Sequence, residues 1–188
     1  MFTKNYKIFR MGTFAGAMLI NTHPLYQGAL ISTAGTSRPI FYGNGTVKVG
    51  DIGYWLNKGK CEAIPETAAN VGDTYGGVFF GSGSTPATEN DYTLESPITS
   101  GLTVENNANP FDVVKEADGR WSVVGGYILR NTSDAEIVIR EIGVVTIVPY
   151  SASAYAPCLM ERTVFAEPVN IPTGAAKYVE YKFTFNQT

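Results

Sequence analysis

The sequence is poor in the residues that perform most protein chemistry. It contains a single histidine, His23, and two cysteines, Cys61 and Cys158, which lie far apart in the chain. Structural zinc sites need several closely spaced Cys or His ligands, and nucleophilic catalysis needs a base beside the nucleophile. The sequence therefore predicts no metal site, no cofactor and no enzymatic activity, and it predicts two free thiols rather than a disulfide framework.

Charged residues and long apolar runs are also scarce. Asp, Glu, Lys and Arg make up 16% of the chain and the net charge is −3, whereas about a quarter of an ordinary domain is charged. Without a basic run, direct nucleic-acid binding is not expected. No apolar run approaches the roughly 20 residues that span a bilayer, so no membrane contact is expected. The apolar run 14–20 is too short for an export signal.

Aromatic residues, glycine and proline are plentiful instead, and several segments alternate in the way that strands do. In the final segment Val179, Tyr181, Phe183 and Phe185 share one face, and polar residues occupy the other. A period of two indicates a strand with one buried and one solvated face. Comparable segments predict strands at 75–80, 121–130, 136–145 and 158–165. A hairpin turn is predicted at 43–45, and a short helix is predicted at 62–70.

Many short strands with turn signals and little helix predict an all-β fold. We expect an antiparallel β-sandwich or jelly-roll-like domain over residues 36–188. Residues 1–35 are broken by Gly12, Gly16, Gly28 and Pro24, which predicts an irregular N-terminal arm. Low charge fits either a polar surface built on Ser, Thr and Asn or a surface covered by neighbouring subunits.

Charged residues inside apolar strands are the remaining candidates for chemistry. Glu141 and Arg162 lie in two such strands, and we expect them to pair across the sheet as a structural contact. Gly143 interrupts the alternation and suggests a bulge. Asp91 and Glu95 lie in a polar Gly/Ser/Thr connection, where calcium binding is an alternative to a simple turn. The carboxylates at 112, 116 and 118 have the character of solvated turn residues.

Four phrases between residues 80 and 174, together with a strand and turn at 127–134 and the final alternating strand, form an ordered set. The first is residues 80–97, with a Gly-x-Gly, a Thr-Pro and an Asp-Tyr-x-Leu. The second is an Ile-x-Ile-x-Glu-Ile-Gly phrase at 137–143, the third a Leu-Met-x-Arg-x-Val-Phe phrase at 159–165, and the fourth a Pro-Val-x-Ile-Pro-x-Gly phrase at 168–174. In its order and spacing over residues 75–185, this set resembles small β-rich proteins of tailed-bacteriophage structural gene clusters.

The resemblance implies a virion structural protein of the capsid surface, neck or tail, made in the host bacterial cytoplasm. Its partners would be copies of itself and other virion proteins. The arm, up to about Ile20, is expected to contact a neighbouring subunit. The alternative is a module on the virion that binds carbohydrate or a receptor, such as a host surface glycan. The candidate assembly or ligand contacts are Phe14, Leu19, Ile20, Tyr54, Trp55, Tyr150 and Tyr155.

Overall fold

A computed structural model of the protein describes residues 1, 3, 5, 30–38, 59–64, 76–149 and 155–185. Every element whose bounds it gives is a β-strand, which confirms the all-β class. The strands are β1 (Leu30–Ile31), β2 (Ser37–Arg38), β3 (Gly59–Lys60), β4 (Gly77–Gly81), β5 (Leu102–Lys115), β6 (Trp121–Asn131), β7 (Ile137–Pro149), β8 (Tyr155–Ile171) and β9 (Ala176–Phe185). The predicted hairpin turn at 43–45 and most of the predicted helix lie outside the described residues.

The longer strands form two sheets. The first sheet has the order β3-β4-β7-β8, and the second has the order β5-β6-β9. All neighbouring pairs are antiparallel except β3 and β4, which run parallel. Strands β1 and β2 form a separate short hairpin. Among the described strands, β8 lies at the end of the first sheet.

The strands predicted at 75–80, 121–130, 136–145, 158–165 and 177–185 are confirmed, whereas β1, β3 and the long strand β5 were not predicted. Its middle, from Asn106 to Pro110, contains three asparagines and a proline, residues that are depleted in strands. The ladder pairs Asn106 with Tyr127 and then Phe111 with Gly125, so residues 107–110 bulge out between two well-paired halves. The strand therefore continues through a segment that has the composition of a turn.

The main hydrophobic core is built from side chains of both sheets. Phe80 of β4 meets Tyr127 of β6 edge to face, with ring centroids 5.6 Å apart. On β9 the predicted alternation is confirmed for the described side chains, because Val179 and Tyr181 are buried while Tyr178 is 55% exposed. The other buried members are Val78, Leu102, Leu129, Ile139, Ile142, Val144 and Ile171.

A smaller apolar cluster covers the opposite face of the first sheet. It joins Phe79, Val145 and Leu159 to Leu94, which comes from the connection between β4 and β5. Gly143 lies beneath Leu94, and a Cβ atom there would lie 2.7 Å from a Leu94 methyl carbon. Gly143 pairs regularly with Arg162, so the bulge predicted at Gly143 is not there; the β7–β8 register shifts on either side of it, between 139 and 141 and between 144 and 145. Because Gly143 has no side chain, Leu94 can pack directly against the backbone of β7 at this position.

Candidate functional site

Residues 82–97 form a loop that folds back over the first sheet. Its ends are held together by a hydrogen bond from Ser82 N to Ser96 O of 2.9 Å and by the single bridge between Gly81 and Pro97. Directly after it, Ile98 N donates to Phe80 O at 2.8 Å. The loop therefore leaves and re-enters the fold at one point, which brings its polar side chains over β7 and β8.

Glu141 of β7 and Arg162 of β8 meet beneath this loop. The register pairs Gly143 with Arg162 and Glu141 with Val164, so the two charged residues are diagonal neighbours. Arg162 Nε lies 2.7 Å from Glu141 Oε2. The predicted cross-strand pair is therefore present. It is buried, because Arg162 is 3% exposed and Glu141 is 0% exposed. A buried pair depends on its hydrogen bonds far more than a surface pair does.

The Arg162 guanidinium spreads its donors over four groups. Besides Glu141, Nη1 donates to Asp91 Oδ2 at 2.8 Å, and Nη2 donates to Thr85 O at 3.2 Å and to Glu95 Oε2 at 3.3 Å. Asp91 and Glu95 both belong to the 82–97 loop. The planar fork of arginine suits such a divergent set of carboxylate and carbonyl acceptors. We call Arg162, Glu141, Asp91, Glu95 and Thr85 the Arg162 cluster.

Glu141 completes the attachment by accepting backbone amides of the loop. Its Oε1 accepts from Gly83 N at 3.2 Å and Ser96 N at 2.7 Å, and its Oε2 accepts from Glu95 N at 3.1 Å. These bonds satisfy a buried carboxylate that would otherwise carry a large desolvation cost. Glu141 is thus the acceptor around which the two ends of the loop converge.

The Gly-x-Gly at the start of the loop is explained by this carboxylate. A Cβ atom on Gly81 would lie 2.4 Å from Glu141 Oε1 and 2.7 Å from the backbone oxygen of Ser96. A Cβ atom on Gly83 would lie 2.6 Å from the same Glu141 oxygen. Both positions need glycine because the backbone passes against the carboxylate, and neither has a positive φ.

The loop carboxylates are stabilised as anions. Burial by itself raises the pKa of Asp91, but hydrogen bonds from Arg162 and Thr88 outweigh it and leave that pKa below its ordinary value. The hydrogen bonds from Thr85 lower the pKa of Glu95. Burial lowers the pKa of Arg162, and its bonds to Asp91 and Glu141 more than compensate by raising it. At neutral pH all of these groups are charged.

The Arg162 cluster is arranged to hold structure. Its carboxylates face the guanidinium, the loop backbone and the hydroxyls of Thr85 and Thr88. In the part of the chain that the structure describes, no group of three His, Cys, Asp or Glu side chains is arranged to hold a metal ion. Asp91 and Glu95, the calcium candidates, instead bind Arg162. The arrangement fixes the loop over the sheet.

A second buried carboxylate lies next to Arg162 but on the other face of β8. Glu161 pairs with Val144 of the main core and is 5% exposed. Its Oε1 lies 2.6 Å from the Met1 amino group and 2.7 Å from Thr163 Oγ1. Burial raises the pKa of Glu161, while the positive charge at Met1 and the Thr163 hydroxyl oppose that rise. Tyr181 of the second sheet also reaches Thr163, at 3.3 Å.

Met1, Thr3 and Asn5, which we call the N-terminal segment, lie along the outer edge of β8. Thr3 N donates to Met160 O at 3.0 Å and Arg162 N donates to Met1 O at 3.1 Å. This exchange is that of an antiparallel strand pair. The arm was expected to contact a neighbouring subunit, and these three residues contact β8 of their own chain. Residues 6–29 lie outside the described residues.

Asn5 connects β8 to β1. Its amide nitrogen donates to Ile31 O at 2.7 Å and to Leu159 O at 3.2 Å, and its oxygen accepts from Ile31 N at 2.8 Å. Thr3 Oγ1 donates to Leu159 O at 2.7 Å. Thr33 N adds a bond to Pro157 O at 3.0 Å. The edge of β8 from Pro157 to Arg162 is therefore covered by hydrogen-bonding groups from the beginning of the chain.

Beyond Arg162 the same edge borders an open hollow of about 410 Å³. Met1 and residues 84, 86 and 87 of the 82–97 loop contribute to its lining. The lining is mainly apolar and consists of Met1, Ser84, Pro86, Ala87, Thr163, Val164, Phe165 and Ala166. The hollow therefore lies beside β8, between Met1 and the 82–97 loop.

Of the residues that the sequence singled out as assembly or ligand contacts, one falls within the described residues. Tyr155 begins β8 and pairs with Pro149. Phe14, Leu19, Ile20, Tyr54, Trp55 and Tyr150 lie outside the described residues. The structure therefore brings none of them together in its described part.

From the sequence, Glu141 and Arg162 were predicted as a pair, and Asp91 and Glu95 as a separate pair of candidate calcium ligands. No sequence signal joined the two pairs. Glu161, Thr3 and Asn5 were not predicted as site residues. The consecutive charges at 161 and 162 in an apolar strand were a usable signal, because neighbouring strand residues face opposite sides and each charge needs its own partner. Thr3 and Asn5 carry no comparable signal.

No protein-family model matches the chain, and neither a curated protein nor a solved structure matches it. Within the residues that the structure describes, no helix is both long and apolar enough to span a membrane.

Proposed function

We propose that the protein is a structural component of a bacteriophage virion, at the capsid surface, neck or tail. It acts by assembling with copies of itself and with other virion proteins, and it performs no catalysis and needs no cofactor. Its two sheets are taken as the layers of an antiparallel β-sandwich of the jelly-roll-like kind. The packing of Phe80 against Tyr127 between the sheets supports that architecture.

One observation carries the proposal. Three separate phrases that resemble virion proteins, at 80–97, 137–143 and 159–165, meet in the Arg162 cluster. The first supplies Gly81, Gly83, Asp91 and Glu95, the second supplies Glu141, and the third supplies Arg162. A set of phrases that must occur together to hold one loop is a coherent fold signature, so the resemblance rests on an interacting unit rather than on scattered short matches.

The chemistry of the described site agrees with a structural role. Arg162 donates to protein groups on every side, and Glu141 accepts from three backbone amides and from Arg162. Groups held in this way have neither the free hydrogen-bonding capacity nor the access that acid–base catalysis needs. Their effect is to make the 82–97 loop a rigid, polar surface feature.

The experiment is to locate the protein in particles. Lysates of cells that produce it are separated on a density gradient, and the chain is followed by mass spectrometry alongside a known capsid protein and a cytosolic marker. Co-migration with intact particles is the expected result. Recovery only with the cytosolic marker, from lysates that contain intact particles, would refute the virion role.

The alternative function is recognition of a carbohydrate or receptor by the same domain on the virion. Two exposed tyrosines favour it, namely Tyr178 on the second sheet and Tyr92 on the 82–97 loop. Tyrosine rings with an exposed face stack on sugars. Glycan-array binding that is lost in Tyr92→Ala or Tyr178→Ala, but retained in Val114→Ala, would favour this alternative over a purely structural role.

A further inference from the structure

We propose that two copies of the chain pair antiparallel along β9, so that their second sheets join into one continuous sheet. The inference rests on the proposed assembly of the protein with copies of itself and names the surface that this assembly uses. The surface is the side of β9 (Ala176–Phe185) that faces away from β6. The occupant is the same strand of a second copy, related to the first by a two-fold axis.

The first argument is that β9 is the sheet end best suited to pairing. Among the described strands β6 alone pairs with β9, through ten consecutive residue pairs without a register shift. The other long strands at sheet ends carry features that hinder pairing, because β5 bulges at 107–110 and β8 is bordered by Met1, Thr3 and Asn5. A long, regular strand at the end of a sheet is a template for another strand.

The second argument is that the two faces of β9 restrict the register. Val179 and Tyr181 are buried, whereas Tyr178, Glu180 and Lys182 are exposed on the opposite face. Directly opposite residues of two antiparallel strands lie on the same face. A joined sheet must therefore place even-numbered residues of one copy opposite even-numbered residues of the other, since a shift by one residue would bring a buried face against an exposed one.

The third argument is charge complementarity within β9 itself. When Tyr181 lies opposite Tyr181 of the second copy, each Glu180 lies opposite a Lys182, so the pair contains two contacts between opposite charges. Centring the pair on Glu180 instead brings two carboxylates together, and centring it on Lys182 brings two ammonium groups together. Opposite charges directly across a ladder stabilise it, and like charges destabilise it. Among these three registers, the charges select the one centred on Tyr181.

Lys182 has the capacity for this second contact. Its Nζ lies 2.6 Å from Glu116 Oε1, and its side chain is nevertheless exposed. An ammonium group carries three donors. The ion pair with Glu116 therefore leaves donors for Glu180 of a second copy.

The test uses two charge-reversal variants, Glu180→Lys and Lys182→Glu. Both residues are exposed, so the variants should fold, which circular dichroism checks. Each homodimer would contain two like-charge contacts, and we expect the dissociation constant from sedimentation equilibrium to rise at least about tenfold for each variant alone. Glu136→Lys, at an exposed position just before β7, makes the same charge change and should leave the dissociation constant unchanged.

Mixing the two variants gives the decisive measurement. In a mixed pair all the charges that lie opposite each other at positions 180 and 182 have opposite signs, so dimers should return to about the wild-type level. Mixing does not restore the contact between Lys182 and Glu116, so rescue identifies the register. A wild-type chain that stays monomeric at millimolar concentration, single variants that dimerise as the wild type does, or a mixture that stays monomeric overturns the proposal.

The virion role and the pairing fail separately. Protein that co-migrates with particles but shows no Glu180-dependent pairing refutes the pairing through β9 alone. Charge-dependent dimers of a protein that is absent from intact particles refute the virion role alone.

Discussion

Two adjacent residues of β8, Glu161 and Arg162, are buried on opposite faces of the first sheet. Arg162 lies opposite Gly143 and beneath the 82–97 loop, whereas Glu161 lies opposite Val144 of the main core. Arg162 is met by four acceptors. Glu161 is held at Oε1 by the Met1 amino group and Thr163, whereas its buried Oε2 has no hydrogen-bond partner among the described residues. At the scale of the residue, the fold therefore depends on charges that composition alone would assign to the surface.

Replacing Arg162 should lower the free energy of unfolding much more than replacing a surface arginine. Arg162→Ala leaves the fully buried Glu141 without its cation, and breaking a buried pair in this way costs about 3–5 kcal/mol. Arg140→Ala, at an exposed position on β7, should change stability by about 0.5 kcal/mol or less. Urea denaturation measures both. Similar midpoints for the two variants would show that the cluster contributes little to stability.

Acid should weaken the same cluster through Asp91. Its folded-state pKa is lowered by Arg162 and Thr88, so the unfolded chain binds the proton more tightly. The stabilisation is complete above the ordinary value of 3.8 and is lost as the pH falls through the lower folded-state value. Asp91→Asn should therefore lower stability at pH 7, and its difference from the wild type should shrink in acid. Asp134→Asn, at an exposed turn, should show no such convergence in denaturation midpoints.

At the scale of the element, β9 shows how alternation encodes a two-faced strand. Tyr181 faces the core and bonds Thr163 of the first sheet, while Tyr178 faces outward over Gly126. Where a strand is regular, this period alone identifies the buried face. Strand β5 could not be predicted from alternation, because the residues of its bulge at 107–110 have the composition of a turn although the strand continues through them.

The two tyrosines of β9 offer a matched pair for testing the register. Tyr181→Ala should lower the free energy of unfolding by about 3–5 kcal/mol, as expected for a buried aromatic residue. Tyr178→Ala removes the same atoms from an exposed position and should cost about 1 kcal/mol or less. Thermal or urea denaturation of both variants checks the order. A larger loss in Tyr178→Ala would mean that β9 is rotated by one residue.

At the scale of the whole molecule, the two cysteines report on global opening. Both are free thiols, and Cys158 is buried within β8 while Cys61 is partly exposed. Burial raises the pKa of the Cys158 thiol to about 12, and burial also raises that of Cys61. Since the thiolate is the reactive form, Cys158 should be inert in the folded protein.

Thiol labelling should therefore be biphasic. Cys61 should react with a maleimide well before Cys158, and the slow phase should accelerate with urea in parallel with unfolding. In Cys61→Ser only the slow phase should remain. Reductant should leave the melting temperature unchanged, since no disulfide is present to lose. A single fast phase that accounts for both thiols would place Cys158 at an accessible position.

The sequence by itself determined the all-β class and the buried face of the regular strand β9. A period of two over 177–185 predicted β9, because a strand with one buried face must alternate, and the β-prone apolar run at 121–130 predicted β6. It also paired Glu141 with Arg162, since charges in neighbouring apolar strands need partners. These inferences succeeded because each depends on local order along the chain.

Only the tertiary structure decided what surrounds that pair. Asp91 and Glu95 are distant from Arg162 in sequence, and nothing local distinguishes a loop carboxylate that binds calcium from one that binds a guanidinium. The closure of residues 82–97 over β7 and β8 made that choice. It also turned a surface pair into a buried one and required glycine at 81 and 83, because burial and close approach arise from the chain folding back on itself.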